Sequence, residues 1–134
     1  MSKSVESPQG TVTVLDPPEV IERKFKRAVT DSEAEVRYDP DTRPGVSNLL
    51  SILGAATGAD PAALAERYDQ YGPLKADTAE AVIDLLRPVQ ERFAALAADP
   101  AETARILALG ADKARKTAGA TLARVRDRIG LSLG

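Results

Sequence analysis

The chain has 134 residues and a formal net charge of −2, with 43 % hydrophobic and 28 % charged residues, which is typical of one folded domain. It contains no histidine and no cysteine, which excludes imidazole acid–base chemistry, histidine-based metal sites, disulfides and thiolate nucleophiles. The first residues, MSKSVESPQG, lack the apolar segment of a signal peptide, and no stretch reaches the roughly 20 apolar residues of a membrane span. We therefore expect a soluble, cytoplasmic chain with no membrane contact and no metal site.

Alanine and leucine supply most of the apolar content and aromatic residues only 4 %, which favours helices over a β-sandwich. Helical periodicity predicts five helices, at about residues 17–29, 46–57, 61–70, 77–98 and 100–129. Gly10 to Leu15 alternates like a short strand, which either adds to a sheet outside this chain or forms a loop. The predicted fold is all-α, a small helical bundle with an irregular amino-terminal arm.

Three of the predicted helices begin with the same dipeptide, Asp16-Pro17, Asp60-Pro61 and Asp99-Pro100. An aspartate before a helix can accept hydrogen bonds from the first-turn amides. A proline at the first helical position loses no hydrogen bond, because its N–H would be unpaired in any case. The dipeptides therefore predict three N-caps.

Positive charge is concentrated in the last part of the chain. Residues 1–44 hold seven Lys and Arg against nine Asp and Glu, residues 45–100 hold four against eight, and residues 101–134 hold seven against three. In the last predicted helix the basic side chains that fall near one stripe are Lys113, Lys116, Arg124 and Arg128. This stripe is either a face that contacts nucleic-acid phosphates or an ordinary solvated face. No aromatic residue lies among these cations, so stacking on bases is not predicted.

An acidic stretch precedes the second predicted helix, and basic residues are interleaved with its carboxylates. The spacing of the carboxylates matches no calcium loop. We predict a solvated or locally salt-bridged loop rather than a cation site, formed by Asp31, Glu33, Glu35, Arg37, Asp39, Asp41 and Arg43.

The chain opens with Met1-Ser2-Lys3-Ser4, and a lysine between two hydroxyls suits a phosphate chain, although alone it is more typical of a solvated terminus. It is followed in order by SPQG, VTVLDP, AVTDSE, VRYDPDTRPGVSNLLSIL and, near the end, GADKARKTAGATLARVRDRIGL. This ordered set resembles bacterial tryptophanyl-tRNA synthetases from Met1 to about Leu131. MSKS alone indicates only a class I aminoacyl-tRNA synthetase, and the later segments make the resemblance more specific.

The resemblance implies that MSKS is a Lys-Met-Ser-Lys-Ser phosphate loop without its first lysine. Lys3 would then be catalytic, holding the β and γ phosphates of ATP as pyrophosphate leaves, with Ser2 and Ser4 in the same ATP site. Residues 1–16 would end a Rossmann-type catalytic domain, and residues 17–134 would form a helical domain that contacts the tRNA anticodon. The tryptophan pocket and a His-x-Gly-His motif are expected in an amino-terminal Rossmann domain that this sequence does not include.

The implied function is that of a tryptophan–tRNA ligase, which activates tryptophan with ATP and transfers it to tRNA(Trp) in translation. ATP is a substrate, accompanied by Mg²⁺ in the full enzyme, and no tightly bound cofactor is expected. Full-length members are homodimers, whereas the oligomeric state of this chain stays open. We expect the chain alone to be catalytically incompetent. The alternative is a stand-alone helical module that binds tRNA or modulates a synthetase.

Overall fold

The computed structural model describes residues 10–33 and 35–131, and it confirms the all-α fold. Five helices follow one another along the chain: α1 Pro18–Lys26, α2 Pro44–Thr57, α3 Pro61–Ala65, α4 Tyr71–Ala98 and α5 Pro100–Arg128. Neither described range contains a β-strand, and the strand-like residues 10–15 form an irregular segment that ends in a turn. The alternation of valine and threonine there therefore belongs to a loop.

The chain divides into two compact units, Met1–Glu91 and Arg92–Gly134. The buried apolar side chains of the described residues all lie in the first unit: Ile21, Phe25, Val46, Leu49, Leu50, Leu53, Leu64, Ala65, Leu74, Ala79 and Val82. They come from all of the helices α1 to α4. Fully burying a leucine or isoleucine stabilises a fold by about 1.5–3 kcal/mol. This cluster therefore supplies the hydrophobic stabilisation of the first unit.

Two of the three predicted N-caps are confirmed. The Asp60 carboxylate accepts from the Ala63 amide at 3.0 Å, and the Asp99 carboxylate accepts from the Glu102 amide at 3.0 Å. The prediction for Asp16 is wrong, because α1 has Pro17 at its N-cap position with no side-chain cap bond. The Asp16 carboxylate accepts hydrogen bonds from the Lys24 side chain of α1 and from Thr13 instead, as described below.

The predicted ends of the middle helices are partly wrong. α2 ends where Gly58 adopts a left-handed φ of 74°, as the glycine predicts. α3 is shorter than predicted and stops at Ala65. α4 begins at Tyr71 rather than at about residue 77, so it includes the Gly72-Pro73 pair in its first turn. Proline in a first helical turn removes no intrahelical hydrogen bond, so this pair starts a helix as readily as it ends one.

Gly45, in the PGVSNLL segment, lies where two backbone stretches approach closely. A Cβ on Gly45 would stand 2.5 Å from the carbonyl oxygen of Val29. Such a contact requires a backbone shift, so only glycine fits the start of α2 against the end of the α1 segment.

The second unit contains the end of α4 and all of α5. α5 lies wholly within the described part of the chain and has no buried residue. Its apolar side chains are only partly covered, since Leu109, Leu122 and Val125 remain 52 %, 47 % and 46 % exposed. Across the described ranges, no helix combines the length and the apolar content that crossing a membrane requires.

Candidate phosphate-loop arm and basic helix

The residues assigned to the phosphate loop by resemblance, Ser2, Lys3 and Ser4, lie outside the described residues. The first described residues are residues 10–16, which we call the arm. Its position is set by side chains from two helices of the first unit.

Lys24 of α1 binds the arm at both of its ends. Its Nζ donates to the carbonyl oxygen of Thr11 at 2.7 Å and to the carboxylate of Asp16 at 2.5 Å. The side chains of Lys24 and Asp16 are each only 16 % exposed. The ion pair is therefore shielded from water, unlike a surface pair on mobile side chains.

Gln90 of α4 holds the arm from a second direction. Its Nε2 donates to the carbonyl oxygens of Val14 at 2.8 Å and Asp16 at 3.0 Å. Val12 packs against the core, whereas Val14 is 50 % exposed. The arm therefore lies on the helical unit, and of the two valines only Val12 is covered by it.

The Asp16 carboxylate stays ionised in the folded chain. The hydrogen bond from Lys24, followed by bonds from the amide and hydroxyl of Thr13 at 2.9 Å and 2.7 Å, lowers the pKa of Asp16 to about 2. The prediction of an N-cap missed this role. The lysine eight residues along the sequence is the signal that could have suggested it.

An ion pair between a buried arginine and a partly exposed aspartate closes the acidic loop that precedes α2. The Arg43 side chain is 2 % exposed, and it donates from Nε and Nη2 to the two oxygens of Asp31 at 3.0 Å and 2.8 Å. Nη2 also donates to the Tyr71 hydroxyl at 2.6 Å, and that hydroxyl donates to Asp31. We call Asp31, Arg43 and Tyr71 the Arg43 clasp.

The hydrogen bonds of the Arg43 clasp keep the Asp31 carboxylate and the Arg43 guanidinium in their charged forms. The hydrogen bonds from Arg43, and then from Tyr71, hold the pKa of Asp31 far below its ordinary range. Burial, and then the bond to Asp31, raises the pKa of the Tyr71 hydroxyl. The prediction of a locally salt-bridged loop is therefore confirmed, whereas sequence reasoning missed Tyr71, which lies 40 positions away from Asp31.

The other end of this loop is held by α2. The Asp39 amide donates to the hydroxyl of Ser47, a buried residue, at 2.9 Å, and the Asp39 carboxylate accepts from the hydroxyl and amide of Thr42. The two bonds from Thr42, first from its hydroxyl and then from its amide, lower the pKa of Asp39. In residues 10–33 and 35–131, no group of three or more carboxylates is arranged to hold a metal ion. The loop is a structural connection between α1, α2 and α4.

The four candidate tRNA-contacting cations all lie on α5 and are exposed. At about 100° per helical residue, Lys113, Lys116, Arg124 and Arg128 fall within about 120° of one another. Arg115 lies about 160° from Lys113 and pairs with Asp112 at 2.6 Å. The four cations therefore form one basic stripe on α5.

An open groove of about 880 Å³ runs between α1 and α4 in the first unit. Its charged lining consists of three acidic and three basic side chains: Glu22, Glu80, Asp84, Lys26, Lys75 and Arg87. The opposite charges balance, so the groove has no electrostatic preference for an anion such as a nucleotide phosphate.

Known proteins match nearly the whole chain. A sequence profile described as tRNA synthetases class I (W and Y) matches residues 1–87. A tryptophan–tRNA ligase of Mycobacterium leprae is 49 % identical over 132 residues, which are 97 % of this chain and 38 % of that protein. The tryptophan–tRNA ligase of Enterococcus faecalis is 44 % identical over 133 residues, 98 % of this chain and 39 % of that protein.

The fold also matches a solved relative. The crystal structure of tryptophanyl-tRNA synthetase from Mycoplasma pneumoniae is similar with a TM-score of 0.80 and 31 % identity, over 98 % of this chain and 41 % of that chain. The chain thus spans about 38 % of the first of these curated relatives. The matched profile, the sequence identities and the shared helical fold together identify this chain as a member of the class I tRNA synthetases of the tryptophan and tyrosine group.

Proposed function

We propose that the chain is the carboxy-terminal part of a tryptophan–tRNA ligase, which activates tryptophan with ATP and transfers it to tRNA(Trp). The observation that carries this proposal is the 49 % identity to a tryptophan–tRNA ligase over 97 % of the chain. The ordered segments from MSKS to the last helix support the same assignment. The enzyme works in the cytoplasm, where translation takes place.

In this proposal Lys3 is the catalytic residue of the chain. Its ammonium binds the β and γ phosphates of ATP while the tryptophan carboxylate attacks the α phosphorus and pyrophosphate leaves. Negative charge grows on pyrophosphate in that step, so a lysine there stabilises the transition state more than the ground state. Ser2 and Ser4 donate hydrogen bonds to the same phosphates. Mg²⁺ arrives with ATP as part of the substrate.

The basic stripe on α5 is the tRNA-contacting face in this proposal. Four exposed cations on one side of a helix can bind consecutive phosphates of a nucleic-acid backbone. The helix α5, Pro100–Arg128, contains no aromatic residue, so the stripe itself offers no side chain on which bases could stack. Binding through this stripe is therefore electrostatic and weak, and it decreases as salt is added.

The first experiment is the mass of the native polypeptide, detected in a lysate of the source organism with an antibody against α5. A species well above the mass of 134 residues supports the ligase. A species of 134 residues overturns it and favours a stand-alone helical module that binds tRNA or modulates a synthetase.

Activity gives the second test. We expect the native polypeptide to catalyse tryptophan-dependent exchange of pyrophosphate into ATP, and the isolated 134-residue chain to lack this activity. Pyrophosphate exchange by the isolated chain that disappears in Lys3→Ala would contradict the proposal that this chain is inactive without the rest of the ligase.

The tRNA face is tested by replacing Lys113, Lys116, Arg124 and Arg128 with glutamine. The slope of log affinity against log salt should fall by about one for each lost phosphate contact. Arg105→Gln and Arg115→Gln are the controls, because these arginines pair with Glu102 and Asp112 on the same helix. An equal effect of the controls would refute the stripe.

A further inference from the structure

One face of α5 is apolar along most of the helix. At about 100° per residue, six apolar residues lie within about 40° of Ala118 around the helix axis. Together with Ala118 we call them the α5 seam: Leu107, Ala111, Ala114, Leu122, Val125 and Ile129. Leu107 and Ile129, at its two ends, are 67 % and 61 % exposed, and no residue of α5 is buried. The seam is therefore an apolar face that the described part of the chain leaves uncovered.

The α5 seam has the same spacing in both directions from Ala118. Its members lie four, seven and eleven positions before Ala118, and four, seven and eleven positions after it. An eleven-residue repeat has about 3.67 residues per turn, close to the 3.6 of a straight helix, so the seam stays on one face. A twofold axis perpendicular to α5 at Ala118 therefore places every member of the seam opposite a member of the seam of an antiparallel second copy.

The side chains that such an axis brings together have complementary sizes. Leu122 of one copy lies opposite Ala114 of the second, and Val125 lies opposite Ala111. The two copies of Ala118 meet at the axis, where small side chains allow helices to approach to about 8 Å. Two large side chains face each other only at the outer ends of the seam. Large side chains opposite small ones fill a helix interface without voids.

The charges beside the seam also favour an antiparallel second copy. Asp112 and Arg126 lie on one side of the seam, about 120° and 80° from Ala118. The axis places Asp112 of one copy opposite Arg126 of the second, offset by about 3 Å along the helix. The other arginines nearest the seam, Arg115 and Arg128, lie opposite glycines of the second copy. A parallel pair would instead bring Arg126 beside Arg128, and like charges at such positions oppose that orientation.

We propose that the α5 seam is a self-docking surface, on which α5 of a second copy packs antiparallel with the twofold axis at Ala118. The contact lies beyond residues 1–87, the part that matches the synthetase profile. Lys113, Lys116 and Arg124 of the basic stripe lie about 120–160° from Ala118, so they stay accessible in the pair. Self-docking does not depend on the proposed function, because it involves neither ATP nor tRNA.

The position of the axis is tested with engineered cysteines, since the chain has none of its own. Ala118→Cys places two thiols at the axis, where Cβ atoms about 4 Å apart satisfy the geometry of a disulfide. We expect mild oxidation of this variant to give a disulfide-linked dimer of twice the monomer mass. Ala120→Cys is the matched control, because Ala120 is exposed on α5 about 160° from Ala118. Equal cross-linking of the two variants, including none in either, overturns the proposed axis.

Sedimentation equilibrium over a range of chain concentrations tests the association itself. We expect a monomer–dimer equilibrium for the wild-type chain. Leu122→Asp puts a charge into the seam and should raise the dissociation constant at least about tenfold. Leu109→Asp is the matched control, since Leu109 is 52 % exposed on the opposite face, about 180° from Ala118. A monomer at every concentration, or the same loss in both variants, overturns self-docking.

A charge exchange tests the antiparallel orientation, and it replaces Leu122→Asp if circular dichroism shows that this variant loses helix. Asp112→Arg and Arg126→Asp should each raise the dissociation constant roughly fivefold, because like charges then face each other at two places. The double variant Asp112→Arg/Arg126→Asp has the net charge of the wild type and should restore its dissociation constant. A dimer that stays weakened in the double variant overturns the antiparallel pairing.

Discussion

Leu50 in the unit Met1–Glu91 is 0 % exposed, whereas Leu109 in the unit Arg92–Gly134 is 52 % exposed, although both lie on the apolar stripe of a helix. The first unit is stabilised by tertiary contacts, namely a shared core and the Arg43 clasp. The second unit relies on local interactions: the Asp99 cap and ion pairs three residues apart, such as Arg105 with Glu102 at 2.6 Å. Similar sequence periodicity therefore produces helices with different sources of stability.

The tyrosines allow the two units to be followed separately. All three, Tyr38, Tyr68 and Tyr71, lie in the first unit, and the chain has no tryptophan. Tyrosine fluorescence therefore reports unfolding of the first unit, while far-UV circular dichroism reports helices of both units.

The largest expected difference comes from leucine truncation. Leu50→Ala should lower the free energy of unfolding of the first unit by about 2–5 kcal/mol, because it leaves a cavity in a closed core. Leu109→Ala, at a half-exposed site, should change the free energy of unfolding of the second unit by less than about 0.5 kcal/mol. Urea unfolding measures both effects, followed by tyrosine fluorescence for Leu50→Ala and by far-UV circular dichroism for Leu109→Ala. Equal losses would mean that the two units are not stabilised differently.

The Arg43 clasp gives the next largest effect. Tyr71→Phe removes the hydroxyl that joins Arg43 to Asp31 and should lower the free energy of unfolding by about 1–2 kcal/mol. Arg43→Met should destabilise the first unit more than Tyr71→Phe does, because Asp31 then loses its charge partner. Tyr68→Phe is the control, since its hydroxyl bonds to the exposed residue Asp77. A clasp variant as stable as this control would exclude a stabilising role for the clasp.

The N-caps test the second unit. Asp99→Ala should lower the helix signal of α5 and cost about 1 kcal/mol, because the Glu102 amide loses its acceptor. Tyrosine fluorescence should not change, since the first unit is unaffected. Asp60→Ala, which removes the equivalent bond to Ala63, should affect the fluorescence transition instead. A fluorescence change in Asp99→Ala would indicate that the units unfold together.

Acid should affect the arm in a defined pH range. The folded-state pKa of Asp16 is about 2, below its ordinary value of 3.8. Its contribution to stability is therefore present above about pH 4 and is lost as the pH falls from 3.8 toward about 2. Asp16→Asn should flatten the pH dependence of exchange at the Thr13 amide in this range. An unchanged pH dependence in that variant would contradict the assigned ion pair with Lys24.

The sequence by itself determined the helices, the caps at Asp60 and Asp99 and the end of α2 at Gly58. These features depend on local chemistry: apolar period, a carboxylate at a helix start, and a backbone conformation that glycine adopts without strain. The ordered segments also identified the family.

Only the tertiary structure decided which side chains meet across long separations. Asp16 precedes a proline like the two capping aspartates, yet Lys24 and Thr13 provide its hydrogen bonds. Gln90 reaches Val14 across 76 positions. The apolar side chains of α5 recur with helical periodicity, yet none of its residues is buried. Periodicity predicts which residues share one face of a helix, but it does not predict what covers that face. Burial depends on the packing of distant segments, which no local pattern encodes.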